Sequence, residues 1–223
     1  MKGLIRKDFV LLREQAILFV IMIIFAFVAI FMALTNKDFT YGFVDGYISV
    51  VAAMLGVTTI SYDQSDNGMV YLMTMPFDRK MYVNSKYMMS MILAVLVAVI
   101  IGIFNTIIGA VNGSFQDFST IMLTSVSGAS VTLLINSIGI PAFLKFEAQK
   151  GAIAMYLALA IIFVACFALI KVLKVFGIDI MFILDTMSNA KMGALAGMAI
   201  VVAIICLLIS YGISQKIMAR KEF

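Results

Sequence analysis

The sequence predicts an all-α, polytopic membrane protein that forms a single domain over residues 1–223. Hydrophobic residues make up 64% of the chain and charged residues 13%, and the mean hydropathy is +1.12, outside the range of soluble domains. Six apolar stretches are each about 18 to 25 residues long, enough to cross a bilayer as a helix. Polar and basic residues collect between these stretches, which predicts six transmembrane helices.

Residues 1–15 predict an interfacial helix that precedes the first span. Leu4, Ile5, Phe9 and Leu12 share one helical face, and the basic residues fall largely on the opposite face. A basic flank that only orients the first span would use the same residues, so both interpretations stay open. The apolar run that follows is too long for a cleaved signal peptide.

The six predicted spans cover residues 16–34, 44–61, 88–111, 119–143, 151–170 and 192–213. Asp45 starts the second span and is placed at the far interface, so no functional charge inside the membrane is required. Asn105 lies well inside the third span, where an amide typically bonds to another helix. The segment 177–191 is too short to cross, and an interfacial and a re-entrant placement both remain open.

The fourth span is the most polar. Thr120, Thr124, Ser127 and Ser130 share one side of the helix, and Asn136 lies on the other. These side chains indicate either a helix packed between neighbours or one that lines a path. Pro141 near the end of the span predicts a kink or a helix end.

The stretch from Asp63 to Tyr87 is a polar, Met-rich segment between two spans. Its charged residues would each cost about 2.5 to 3.5 kcal/mol in the bilayer core, so the stretch is expected in water. Two short helices are predicted, broken at Met75-Pro76, the second capped by Asp78 and starting at Arg79. The exposed Met and Tyr face is either a docking surface for a partner protein or a loop on the lipid surface.

The basic residues predict the orientation in the membrane. One side carries Lys2, Arg6, Lys7, Arg13, Arg79, Lys80, Lys86, Lys145, Lys150, Lys216, Arg220 and Lys221, and the other carries Lys37, Lys171, Lys174 and Lys191. The richer side is cytoplasmic by the positive-inside rule, so both termini are expected in the cytoplasm. The same rule accounts for the net charge of +4 without nucleic acid as a partner.

Several kinds of chemistry are excluded by composition. The chain has no histidine, which excludes a Ser-His dyad and an H-E-x-x-H zinc site, and no metal site is expected. It also lacks the G-x-x-x-x-G-K-[ST] phosphate-binding loop. Because the spans place no ionisable residue near the midplane, any energy for uphill transport is expected from another subunit.

The stretch SYDQSDNGMVYLMTMPFDRKMYVNSKY resembles the first cytoplasmic loop of ABC-2 type permeases, the six-span subunits of bacterial ATP-binding cassette exporters. The start MKGLIRKDFVLL, especially Lys7-Asp8, and the turn with Lys145-Phe146 and Lys150 are also similar. Gly68 departs from the family pattern, in which a larger residue is expected. The residues of the loop that carry the resemblance are Asp63, Tyr71, Leu72, Met73, Met75, Pro76, Arg79, Lys80, Lys86 and Tyr87.

The resemblance implies that this loop is the coupling helix, which docks on an ATPase subunit, and that residues 1–15 form the elbow helix. It implies a non-enzymatic subunit in a bacterial cell membrane, in which two permease copies, identical or homologous, work with two ATPase subunits that bind ATP and Mg. Among the family's substrates we favour amphipathic or antimicrobial-type peptides. Changing Pro76 to Leu or Arg79 to Glu is then expected to uncouple ATP hydrolysis from transport without blocking membrane insertion.

Two other functions are compatible with a six-span chain that has no ATPase of its own. One is the substrate-binding membrane subunit of an energy-coupling vitamin importer, and the other is a non-transporting scaffold or immunity protein. The bulky first span argues against the importer, because such subunits dock through small residues.

Overall fold

Long helices account for the part of the chain that the structure, a computed structural model, describes. That part comprises residues 2–14, 20–21, 24–25, 28, 41–65, 68–74, 78–111, 118–146, 148–175 and 189–221. Its helices are α1 (Lys2–Glu14), α2 (Tyr41–Gln64), α3 (Gly68–Met73), α4 (Arg79–Val111), α5 (Phe118–Lys145), α6 (Ala148–Val175) and α7 (Asn189–Arg220). These described elements are all helical, as predicted.

Four of the described helices are long and apolar enough to cross a membrane: Gly42–Gln64, Arg79–Ala110, Phe118–Lys145 and Gly193–Arg220. They correspond to the second, third, fourth and sixth predicted spans. The fifth predicted span lies within α6, where the shorter stretch Lys150–Ile161 is the apolar helix found. The first predicted span and the segment 177–191 fall largely outside the described residues.

Helix α5 is the centre of the bundle and packs against α2, α4, α6 and α7. Glycines set its closest approaches. A Cβ on Gly128 would lie 2.3 Å from Ile101 Cδ1 in α4 and 2.9 Å from Ser49 Oγ in α2, and a Cβ on Gly139 would lie 2.6 Å from Val57 Cγ2. Small residues therefore let the neighbouring helices approach α5 closely.

Pro141 does not end α5, which continues to Lys145. Proline has no backbone N–H, so the carbonyl of Ser137 one turn earlier lacks its usual helical donor. The Ser210 hydroxyl of α7 donates to that carbonyl at 2.5 Å, and Ser210 Oγ lies 2.6 Å from Tyr87 Oη of α4. A hydroxyl from a neighbouring helix thus satisfies the group that proline leaves free.

One end of the bundle, which we call the basal end, brings together α1, the α2–α4 connection, the α5–α6 turn and the C-terminus. The Arg79 guanidinium donates to the carbonyl oxygen of Lys221 at 2.9 Å, and Lys221 Nζ donates to that of Leu144 at 2.9 Å. Gln64 Nε2 donates to the carbonyl oxygen of Phe143 at 2.5 Å. The four segments that charge counting assigns to one side of the membrane therefore meet at one end of the structure.

Candidate functional site: the charge cluster and the short helix α3

Four ionisable side chains from three helices meet at the basal end, and we call them the charge cluster. Lys7 and Asp8 lie in the middle of α1, Asp63 lies in the last turn of α2, and Lys86 lies in the second turn of α4. Two lysines and two aspartates make the cluster neutral. It joins the N-terminal helix to the two helices that flank α3.

Lys86 is the centre of the charge cluster. Its ammonium nitrogen lies 2.7 Å from Asp8 Oδ1, 2.8 Å from Asp63 Oδ2 and 3.2 Å from Thr59 Oγ1. An ammonium group has three N–H donors, so these three acceptors match its capacity. Tyr82, one turn earlier in α4, donates its hydroxyl to Asp63 Oδ2 at 2.9 Å and holds that carboxylate in place.

Three of the four side chains in the charge cluster are buried, so their charges depend on one another for compensation. The side chains of Lys86 and Asp8 are each 1% exposed and that of Asp63 is 3% exposed, whereas Lys7, which also pairs with Asp63, is 30% exposed. Burial raises the pKa of Asp8 above its ordinary value, and the neighbouring Lys86 ammonium offsets only part of that rise. Removing any one buried charge would therefore leave another without compensation.

The expectation that the whole stretch from Asp63 to Tyr87 lies in water is wrong at both ends. Asp63, Lys86 and Tyr87 are buried. The charges are tolerated because α1 supplies Asp8 and Lys7 as opposite partners. The Tyr87 hydroxyl is satisfied instead by Ser210 and by Ser214, the latter at 2.8 Å.

Helix α3 is short and has one buried and one exposed face. Met69 is buried in the main apolar core and Leu72 packs against that core, so the predicted exposed methionine face is wrong for Met69. Val70 and Tyr71 point outward, and Tyr71 is 67% exposed. Among the described side chains of α3, the large apolar ones exposed are therefore Val70 and Tyr71, on a helix whose opposite face packs in the core.

Gly68 begins α3 where the family pattern favours a larger residue. A Cβ at this position would lie 3.0 Å from the carbonyl oxygen of Asp63. A larger residue here would require the end of α2 or the start of α3 to shift by a few tenths of an ångström. The glycine thus lets the start of α3 pack against the backbone of Asp63, whose side chain belongs to the charge cluster.

Arg79 and Lys80 start α4 beside α3, and both are exposed. The helix begins at Arg79 as predicted, with the Asp78 carbonyl accepting from the Met81 N–H at 2.9 Å. The Arg79 guanidinium also donates to the carbonyl oxygens of Met218 and Ala219 at 3.3 Å each, at the end of α7. A recess of about 420 Å³ lies here, lined by Asp78, Arg79, Lys80, Gln215 and Ala219.

The remaining predicted residues of these two segments are divided between core, surface and undescribed positions. Leu4 of α1 is buried, Ile5 is half-buried and Phe9 is 44% exposed. Leu12 and Met73 belong to α1 and α3, but their side chains lie outside the described part. Met75 and Pro76 lie wholly outside it.

The polar residues of α5 and α4 lie mainly between helices. Asn105 donates to Asp45 Oδ2 of α2 at 3.2 Å and to Thr124 Oγ1 of α5 at 3.1 Å, so it joins three helices. The Asp45 side chain is buried among these helices. Ser130 and Asn136 are buried, Thr120 and Thr124 are half-buried and Ser127 is exposed.

An apolar groove of about 760 Å³ runs between α4, α5 and α7. Val95 and Val99 of α4, Met122 and Val126 of α5, and Ile204 of α7 are typical of its lining. The polar side chains in the lining are those of Thr106 and Ser125. None of the candidate path residues of the fourth span lines this groove.

Sequence reasoning missed Tyr82 and Thr59 as members of the site and did not pair Asp8 with Lys86. Tyr82 and Lys86 are four residues apart, so they share a helix face, and this spacing is a signal that the sequence does contain. Thr59 and Asp63 are likewise four apart on α2. No local pattern reveals that Asp8 of α1 faces both pairs.

Comparison with protein-family models gives a match to the ABC-2 family transporter protein over residues 3–219. Neither the curated proteins nor the solved structures gave a match. The family match covers nearly the whole chain, including α1, the charge cluster, α3 and all the long helices described above. The chain therefore belongs to the ABC-2 transporter family and is a membrane permease component.

Proposed function

We propose that this chain is the transmembrane subunit of a bacterial ABC exporter that docks a separate ATPase through α3. The observation that carries the proposal is the position of α3. The inner face of this helix packs in the apolar core, and Tyr71 on its outer face is exposed at the basal end. The start of α3 touches the end of α2, which the charge cluster ties to α1 and α4. A displacement of α3 by a docked partner is therefore transmitted directly to the spanning helices α2 and α4.

The docking surface consists of the Val70-Tyr71 face of α3 and the adjacent cations Arg79 and Lys80. An exposed aromatic residue beside basic side chains matches a groove with an apolar floor and an acidic rim. Two ATPase subunits bind the ATP and Mg, and two copies of this permease, or this chain and a homologous one, form the membrane unit. In this arrangement the basal end lies in the cytoplasm, in keeping with its excess of basic residues.

The apolar groove supports the substrate class that we propose. Its lining is almost wholly aliphatic, and it lies among the spanning helices α4, α5 and α7. Such a surface favours an apolar or amphipathic molecule over a charged polar one. Export of amphipathic peptides, including antimicrobial-type peptides, is therefore the activity that we propose.

A site-specific photocrosslinker tests the docking step in cells. Placed at Tyr71, it should capture a protein that mass spectrometry identifies as an ABC ATPase by its phosphate-binding loop. The matched control is Tyr156 of α6, a tyrosine that is 51% exposed but lies on another helix. Equal ATPase capture at both positions, or none at Tyr71 while the protein is correctly inserted, would contradict docking through α3.

Export itself is tested with the permease and the captured ATPase reconstituted in liposomes. Amphipathic peptides should stimulate ATP hydrolysis and accumulate on the side away from the ATPase. Replacing Tyr71 with Ala should abolish the accumulation, while replacing Tyr156 with Ala should not. Accumulation on the ATPase side would refute export and leave the family assignment intact.

A further inference from the structure

A second buried carboxylate, far from the charge cluster, has surroundings of the opposite kind. Asp45 lies in the first turns of α2 and Asp63 in the last, and a separation of 18 residues corresponds to about 27 Å along the helix. Asp45 is 7% exposed, and its neighbours are Asn105 of α4, which is 1% exposed, and Thr124 of α5. Asp63 has two lysines as partners, whereas the groups bonded to Asp45 are neutral.

The described helices packed around Asp45 provide no compensating charge. From Met88 to Val111, α4 contains no ionisable side chain, and α5 contains none before Lys145 at the basal end. In the half of α2 that lies away from the basal end, the other titratable residues are Tyr41 and Tyr47. Lys171, near the outer end of α6, is exposed. Among the described residues, no ion pair is formed by Asp45.

The described side-chain donors next to Asp45 are all in use. Asn105 donates its two amide N–H groups to Asp45 Oδ2 and Thr124 Oγ1. Thr124 in turn donates its hydroxyl to the Ile121 carbonyl at 2.9 Å. Ser49 donates its hydroxyl to the backbone carbonyl of Asp45 at 2.7 Å. Each of these side chains has thus exhausted its donor capacity.

Two buried acceptors are left without a donor. They are Asp45 Oδ1 and Asn105 Oδ1, the free oxygens of the two groups that are already bonded to each other. An ionised carboxylate here would be buried without a cation and without a donor for its second oxygen, which is among the most costly states in a membrane. A proton on the carboxyl removes the charge and supplies the missing donor.

We propose that Asp45 binds a proton and is a neutral carboxylic acid paired with the Asn105 amide. The amide N–H donates to one carboxyl oxygen, and the acid O–H is the donor that the unpaired oxygens require. The acid–amide pair ties α2 to α4 and, through Thr124, to α5 in the half of the bundle opposite the basal end. When the helices separate there and water enters, the O–H bond breaks, the proton passes to water and the carboxylate remains. Opening of this end therefore releases a proton.

Infrared spectroscopy of the full chain in lipid nanodiscs tests this proposal. At neutral pH, the difference spectrum between the wild type and Asp45→Asn should contain a carboxylic-acid C=O band that shifts on exchange into D₂O. Asp78→Asn, which alters an exposed carboxyl group at the start of α4, should leave that band unchanged. Loss of carboxylate bands alone in Asp45→Asn would overturn the proposal.

Two further arms separate a proton from a bound metal cation and guard against misfolding. Exchange of sodium or potassium for choline should leave the acid band unaltered, and a cation-dependent change of carboxylate bands from Asp45 would show a metal-ion site instead. Asn105→Ala should keep the acid but shift its band to higher frequency, because the acid loses its hydrogen-bond partner. An unshifted band would refute the pairing. None of these measurements depends on export, so the proposal stands or fails separately from the proposed function.

Discussion

Lys86→Met is the sharpest test of the charge cluster, because Lys86 is the shared partner of two buried carboxylates. Its ammonium lies 2.7 Å from Asp8 and 2.8 Å from Asp63, and its side chain is 1% exposed. Methionine keeps the length of the side chain but removes the charge. Lys7 alone then faces two carboxylates, so the cluster carries one uncompensated negative charge.

The expected cost follows from that charge. Removing one partner of a buried ion pair costs about 3 to 5 kcal/mol. For a chain of this size, each kcal/mol lowers the melting temperature by about 2 to 4 °C, so the variant should melt on the order of 10 °C below the wild type. The assay is thermal denaturation of the detergent-solubilised protein, followed by size-exclusion chromatography, at one fixed heating time because such unfolding is irreversible.

A second substitution distinguishes charge balance from packing. Lys86→Met combined with Asp8→Asn leaves Lys7 and Asp63 as a neutral pair, and it should recover most of the lost stability. Lys80→Met, at an exposed lysine of the same end, should melt like the wild type. If Lys86→Met melts within about 2 °C of the wild type, or if the double variant is no better than the single one, the compensation argument is wrong.

Three further predictions concern the contacts that hold the helices together. Ser210→Ala leaves the Ser137 carbonyl without a donor and should lower the stability by about 1 to 3 kcal/mol in the same melting assay. The loss should be smaller in a Pro141→Ala background, because alanine restores a backbone N–H donor to that carbonyl. Gly128→Ala should lower the melting temperature through its 2.3 Å clash, while Gly193→Ala, with nothing within 4 Å, should not. Arg79→Glu should leave membrane insertion intact and abolish export measured in liposomes, because it reverses the charge next to α3; unchanged export would count against that role.

The sequence predicts the elements whose evidence is local. Apolar length alone identifies the four spanning helices that the structure describes, and the Asp78-Arg79 start of α4 follows from helix-capping preferences. The positive-inside rule groups the termini and the two connections that the structure brings to the basal end. Each of these inferences uses residues that are neighbours in the chain or a sum over whole segments.

The charge cluster could not be predicted in this way, because its evidence is not local. Lys86 and Asp8 are separated by 78 positions, and Lys7 and Asp63 by 56. Taken singly, each of these residues is a charged side chain at the edge of an apolar run, and water is its expected surroundings. Only the placement of α1 against α2 and α4 shows that the four charges neutralise one another out of water.

A second contact without a local signal lies at the end of α2 opposite the basal end. Asp45, the fifth residue of α2, is predicted at the far interface, and the structure adds that its side chain is buried among the helices. Periodicity does not show that Asp45 points into the bundle, since the side chain that hydrogen-bonds to its carboxyl group among the described residues, Asn105, lies 60 positions away. The sequence predicted that Asn105 bonds to another helix but could not name Asp45 as the acceptor.

The two polar sites together determine how α2 and α4 can move. These antiparallel helices are joined at the basal end by Asp63 and Lys86 and at the other end by Asp45 and Asn105. These two contacts between α2 and α4 lie about 27 Å apart, so the two helices cannot pivot relative to each other about either contact. While both contacts are intact, a displacement of α3 is therefore carried to the opposite end by a rigid pair of helices, which is the kind of rigid-body motion that couples distant sites. Because the two contacts are much farther apart than about 10 Å, the stability costs of removing each should add, and a marked departure from additivity would show that the two contacts are energetically coupled.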